Sequence, residues 1–151
     1  MRVATFALAS ALAWAPFVAA QDLGREPPRG SAERKAILDT VRPVPELRLG
    51  LPVEFVVFRL ATHGDWTFFQ GEMQRPGGVP LRCADIRFPG DCDMMDGFSI
   101  VALLAREGAR WRLVEADIGP TDVSWVAWPE IYPVPCRLVF DRDYCEGQGL
   151  R

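Results

Sequence analysis

Val53-Glu54-Phe55-Val56-Val57-Phe58-Arg59-Leu60-Ala61, then Thr62-His63-Gly64-Asp65, then Trp66-Thr67-Phe68-Phe69-Gln70-Gly71-Glu72-Met73, is the stretch that decides the fold. The first run is dense in β-branched and aromatic residues. The second alternates, with Trp66 and Phe68 on one side and Phe69 and Met73 on the other, so both read as strands. Residues 62–65 join them as a hairpin. A second unit of the same kind follows: Phe98 to Ala105, the turn-forming 106–110, and Trp111 to Ile118. Pro76-Gly77-Gly78 ends the first pair, and residues 79–97, with four aspartates and little periodicity, read as a loop.

Upstream of the first strand, Ser31 precedes Ala32-Glu33-Arg34-Lys35, and its hydroxyl can accept amide hydrogen bonds that a helix start leaves open. Ile37, Leu38 and Val41 fall on one stripe, while Glu33, Arg34, Asp39 and Arg42 face elsewhere. Pro43 is expected to end this helix, and 46–49 to add a short turn closed by Gly50. Helix first and two hairpins after it give an α+β chain: one N-terminal amphipathic helix packed on a curved four-stranded antiparallel sheet. Beyond the last strand, Thr121 reads as the cap of a short helical segment that Pro129 ends, and a tail follows.

The chain has 151 residues, 49% hydrophobic and 25% charged, the balance of one folded domain rather than a disordered or repetitive chain. Met1-Arg2, an apolar run over 3–20 broken by Thr5, Ser10 and Pro16, and the small residues Val18-Ala19-Ala20 have the layout of a signal peptide cleaved after Ala20. The competing reading is a membrane anchor, but alanine dominates, Pro16 sits late and no basic stop-transfer cluster follows. Expected organisation is therefore 1–20 leader, 21–30 a Pro/Gly-rich flexible tether, and 31–151 a single domain, secreted or periplasmic, with no stable membrane anchor. Loss of the leader removes Arg2 and leaves sixteen basic against twenty acidic groups. An acidic surface repels phosphate backbones, so no nucleic-acid partner is expected.

Cys83 and Cys92 are nine positions apart, as are Cys136 and Cys145. Four cysteines permit three pairings. Turn residues inside each interval, Pro89-Gly90-Asp91 and Asp141-Arg142-Asp143, favour 83–92 and 136–145 as disulfides in an oxidising compartment. Structural zinc needs ligands two to four residues apart and redox chemistry a Cys-x-x-Cys, and neither spacing is present.

Catalytic devices are sparse. His63 is the single histidine and reads as a solvent-facing turn residue, and no Gly-x-Ser-x-Gly elbow accompanies it. Asp85, Asp91, Asp93 and Asp96 could present hard oxygens to calcium, yet their spacing departs from the EF-hand run and lacks its distal glutamate. They read as solvated turn aspartates, and no metal, cofactor or catalytic residue is assigned. Glu54, Glu72 and Glu115 lie in strands, where a buried carboxylate would acquire a raised pKa suited to proton transfer. Trp66, Trp111, Trp125 and Trp128 are the candidate ligand contacts, with Trp125 and Trp128, three apart, the expected exposed pair.

Ser31 through Leu60, Gly64-Asp65-Trp66, Gln74-Arg75-Pro76-Gly77-Gly78, and Arg110-Trp111-Arg112-Leu113-Val114-Glu115 with Gly119-Pro120-Thr121-Asp122-Val123 resemble a group of secreted bacterial proteins with no assigned activity. The element order is also similar to cystatin-like and NTF2-like folds, which host binders and enzymes alike. The resemblance implies secretion and a single domain, and names no chemistry. The leading expectation is a non-catalytic domain binding a small molecule, glycan or protein in the cell envelope. A cofactor-free enzyme with a cavity between helix and sheet, using a buried carboxylate among Glu54, Glu72 and Glu115, is the alternative. A structural envelope component is the third.

Overall fold

Ser31 holds extended backbone, and its hydroxyl accepts the amide of Arg34 at 3.1 Å, which starts helix α1 (Ala32–Val41). This is a computed structural model describing residues 24–149; the leader and its cleavage site lie outside the described residues. α1 stops short of Pro43 as expected, but helical structure resumes at once. Pro43 opens a second helix, α2 (Pro43–Leu49), where its missing amide is one that a first turn leaves unpaired anyway. Gly50, at φ 77°, closes α2 in the left-handed conformation, and a Cβ there would lie 2.8 Å from the Arg87 side chain.

The protein is α+β, with an open antiparallel sheet of five strands rather than the four expected. They are β1 (Glu54–His63), β2 (Trp66–Arg75), β3 (Val79–Pro80), β4 (Ser99–Glu107) and β5 (Arg110–Ile118). The order is β1-β2-β4-β5, and the two-residue β3 pairs with Gln74 and Arg75 of β2, beyond the end of β4. The segment read as a featureless loop thus supplies β3 and then two 3-10 turns, Cys83–Asp85 and Pro89–Met94, joined by the Cys83–Cys92 disulfide.

Both faces of the sheet are apolar. On the first, Leu60, Phe69, Met73, Ile100, Ala102 and Leu104 pack under Ile37 and Val41 of α1 and Leu49 of α2. On the second, Ala61, Phe68, Val101 and Leu103 meet Trp128, Val134, Leu138 and Val139 from the C-terminal segment. That segment is a chain of short pieces: a 3-10 turn (Ser124–Ala127), α3 (Trp128–Ile131), α4 (Cys136–Val139) and α5 (Arg142–Gly147), with Cys136 bonded to Cys145. Thr121 caps nothing here, and Pro129 sits in the first turn of α3 instead of ending a helix.

Residues 24–30, read from composition as part of a tether, are tied to the body. Arg25 exchanges two backbone hydrogen bonds of 2.8 Å with Thr62 at the free side of β1, Pro27 is buried, and Arg34 donates to the carbonyl of Pro27 and the carboxylate of Glu26. Among the described residues no helix is long and apolar enough to cross a membrane.

A register shift between Val57 and Arg59 places Phe58 as an extra residue in β1. Strict alternation would send Leu60 to the same side as Phe58; the bulge resets it, so Leu60 returns to the first core while Phe58 and Arg59 both face the second side. Gly71 lies opposite, where a Cβ would stand 2.6 Å from the Val56 carbonyl oxygen, so a glycine is what lets the two strands approach.

Candidate functional site

The C-terminal segment covers the second face of the sheet only at the hairpin end. Phe68 meets Trp128 edge-on with ring centres 6.1 Å apart, and Trp66 packs against Tyr132 at 6.1 Å. The cover is held by polar ties at its boundary. The Arg59 guanidinium donates to the carbonyls of Val139 (2.8 Å), Arg137 (3.0 Å) and Phe140 (3.4 Å), and lies 5.5 Å from the centre of the Phe68 ring. These carbonyls end the short α4, where no further turn exists to take them. Half-burial lowers the Arg59 pKa from its ordinary value, and Asp141 opposes that shift; the group stays cationic. On β5, the Tyr132 hydroxyl donates to Glu115, which raises the phenol's pKa, and the Ser124 hydroxyl donates to Asp117 at 2.7 Å.

At the opposite end the second face is bare. Phe58 is 62% exposed and Val56 41%, side chains that a filled face would have covered. They stand at the end of the face where Trp125 comes down, half-buried, from the start of the C-terminal segment. A concavity of about 160 Å³ lies here, lined by Phe58, Trp125, Pro120, Gln70 and Asp96. Val123 and Val126, either side of Trp125, are also exposed. Glu72, opposite Val56 on one side and Ser99 on the other, Asp96 and Asp117 ring this patch. Among the described residues none of the three is ion-paired, and the nearest cation on the face, Arg59, has its guanidinium turned to the C-terminal carbonyls.

Two larger concavities have their charges already matched. A cleft of about 450 Å³ between Leu51, Pro52, Arg75, Pro76 and Asp85 holds an ionic cluster: Arg82 grips Asp85 through two hydrogen bonds of 2.9 and 3.1 Å, and Arg75 stands 3.8 Å away. The bonds from Arg82, with the added charge of Arg75, hold the Asp85 carboxyl below its ordinary pKa. A groove of about 330 Å³ runs along the outward face of α1. Its Lys35 and Arg42 both pair with Asp39, which lowers the aspartate's pKa, and its Arg34 pairs with Glu26. Neither site has an aromatic side chain in its lining.

The four predicted tryptophans do not converge. Trp128 is 6% exposed and roofs the second core, so it forms no exposed pair with Trp125. Trp111 lies on the opposite face beneath the Arg106 guanidinium, 4.5 Å from the ring centre, and Trp66 is half-buried at the hairpin end. Trp125 alone borders the bare patch. Glu54, Glu72 and Glu115 are all exposed on the second face, so none occupies an apolar cavity between helix and sheet. His63 is half-buried at the end of β1, with Nδ1 enclosed and unbonded, rather than solvent-facing. Asp91, Asp93 and Asp96 do not close on a common point, and among the described residues no group of three or more His, Cys, Asp or Glu is placed to hold a metal ion.

Phe58 and Val56 were not singled out by sequence reasoning. The signal was present: Phe55-Val56-Val57-Phe58 is apolar without alternation, which in a strand means apolar side chains on both faces. Comparison with protein-family models, curated proteins and solved structures finds no match to this chain. What the site can do is read from its own residues.

Proposed function

We propose that the chain is an exported, non-catalytic binding domain, secreted or periplasmic after cleavage behind Ala20, and that it engages its ligand or partner through the bare end of the second sheet face. The observation that carries this reading is Phe58, exposed on a strand beside half-buried Trp125 and ringed by carboxylates without cations. Among the described residues Phe58 is the one strand aromatic that stands exposed, and covering it on association removes apolar surface from water. Two disulfides support an oxidising destination. The exposed positions of Glu54, Glu72 and Glu115 weigh against a carboxylate working inside a cavity between helix and sheet.

Amide chemical-shift mapping of the oxidised chain from Gln21 onward tests the reading against glycan fragments, amphiphiles and peptides. Saturable shifts grouped at Val56, Phe58, Gln70 and Trp125 are expected. Saturable shifts grouped elsewhere overturn the site, and turnover of any probe overturns the non-catalytic reading. A complete lack of response across the panel favours a structural envelope component.

A further inference from the structure

We infer that the partner of this patch is a basic, apolar-anchored segment of another protein, in which one aliphatic or aromatic side chain enters the space between Phe58 and Trp125 and flanking lysines or arginines meet Glu72, Asp96 and Asp117. The inference rests on the binding reading above and adds the chemistry of what is bound.

Size is the first argument. Small-molecule sites run to roughly 300–1,000 Å³ and bury most of their ligand. The concavity here is about 160 Å³ and open along the sheet, room to seat one side chain while the rest of the bound molecule lies across the face. An anchor in a shallow seat with contacts spread around it is the pattern of a polypeptide interface.

Charge is the second. Six carboxylates elsewhere on the molecule, Glu26, Glu33, Asp39, Asp85, Glu107 and Glu146, have cations within 4.0 Å. The carboxylates around Phe58 have none among the described residues, and the one strand cation in the same row, Arg59 opposite Gln70, directs its guanidinium to the carbonyls of Arg137, Val139 and Phe140, which leaves Glu72, Asp96 and Asp117 as the open charges. Such a rim attracts a cationic partner, repels an anionic membrane surface, and sets like charge against like charge if two copies meet through this patch. The bulge at Phe58 breaks the regular backbone spacing of β1, so side-chain docking on the face is favoured over addition of a strand at the edge.

The test uses the oxidised chain from Gln21 and three fluorescein-labelled peptides of equal length, alternating Leu-Lys, Ser-Lys and Leu-Glu, read by anisotropy. Leu-Lys is expected to bind, Ser-Lys to bind about tenfold more weakly for want of an anchor, and Leu-Glu not at all. Phe58→Ser should weaken Leu-Lys by about tenfold, and Glu72→Lys should weaken it further while admitting Leu-Glu. Both side chains are exposed, so an unchanged melting temperature verifies that each variant is folded. Equal binding of Leu-Lys and Leu-Glu, or affinity indifferent to both substitutions, overturns the inference. So does binding to phosphatidylglycerol vesicles, or a dimer in sedimentation that Phe58→Ser dissolves. If a glycan or amphiphile shifts Phe58 and Trp125 resonances while Leu-Lys does not, the site stands and its proposed partner falls. If ligands bind without moving those resonances, both fall.

Discussion

On the first face of the sheet, α1 and α2 lay Ile37, Val41 and Leu49 into a continuous core, and three of the largest buried residues beneath them are Phe69, Met73 and Leu104. On the second face the cover is a succession of helical pieces of four to six residues, far below the length at which a helix holds itself. That cover is retained by the Cys136–Cys145 bond, by Arg59 on three carbonyls, and by Trp128 on Phe68. A long amphipathic element is held by area. A broken one needs cross-links and polar ties, and it stops short, which is why one face is closed and the other keeps an open end.

Damage to the first core should destabilise the protein most. Phe69→Ala removes a fully buried ring that meets Phe55 edge-on at 5.1 Å, and should cost about 3–5 kcal/mol in urea denaturation, with loss of the whole domain in one transition. Replacing Cys136 and Cys145 by serine should cost about 2.5–3 kcal/mol for a closed loop of this size. Here hydrogen exchange should rise over 124–149 before it rises in β4, and a uniform rise over both faces would erase the distinction drawn between them.

Arg59→Met should cost about 1–3 kcal/mol by stranding the carbonyls that end α4, with faster exchange at 137–140. Arg59→Lys should recover only part, because one ammonium cannot span what the planar guanidinium spans.

Glu33 sharpens the first face at lower cost. Hydrogen bonds from Arg25, with the charges of Arg25 and Arg106, hold its pKa below its ordinary 4.5. A depressed carboxylate contributes stability above the unfolded value that is lost as pH falls through the folded one. Thermal scans through that acid range should therefore show a decline that Glu33→Gln flattens, by at most about 1 kcal/mol for so exposed a pair. Smallest of all, Phe58→Ser should leave thermal stability within about 0.5 kcal/mol, in contrast to its effect on binding.

The hairpins were legible because Val, Phe and Trp crowd where only strands use them, and α1 because Ser31 and the stripe of Ile37 and Val41 agree. Missing from that reading were features that leave no period. β3 is two residues long, and Phe58 interrupts an alternation that had to be assumed intact. The helices after Trp125 are too short to show a stripe. The burial of Trp128 had a visible cause, however. If Phe69 and Met73 face one core while Trp66 and Phe68 face away from it, the second side needs a roof, and the chain after Ile118 is long enough to supply it. The site was half legible: Trp125 was chosen for its ring, whereas its neighbours Phe58 and Val56 could be placed beside it only once the sheet order brought β1 and the C-terminal segment to the same end.

The extra residue in β1 leaves a signature for mutational scanning. At Phe58 the side chain faces water and many replacements should be tolerated, and excision of the residue would leave Val57, Arg59 and Leu60 opposite Gly71, Gln70 and Phe69 in unbroken alternation, with Leu60 still in the first core. A position tolerant of both substitution and shortening would mark the extra residue as a way of presenting the phenyl ring rather than something the fold requires there.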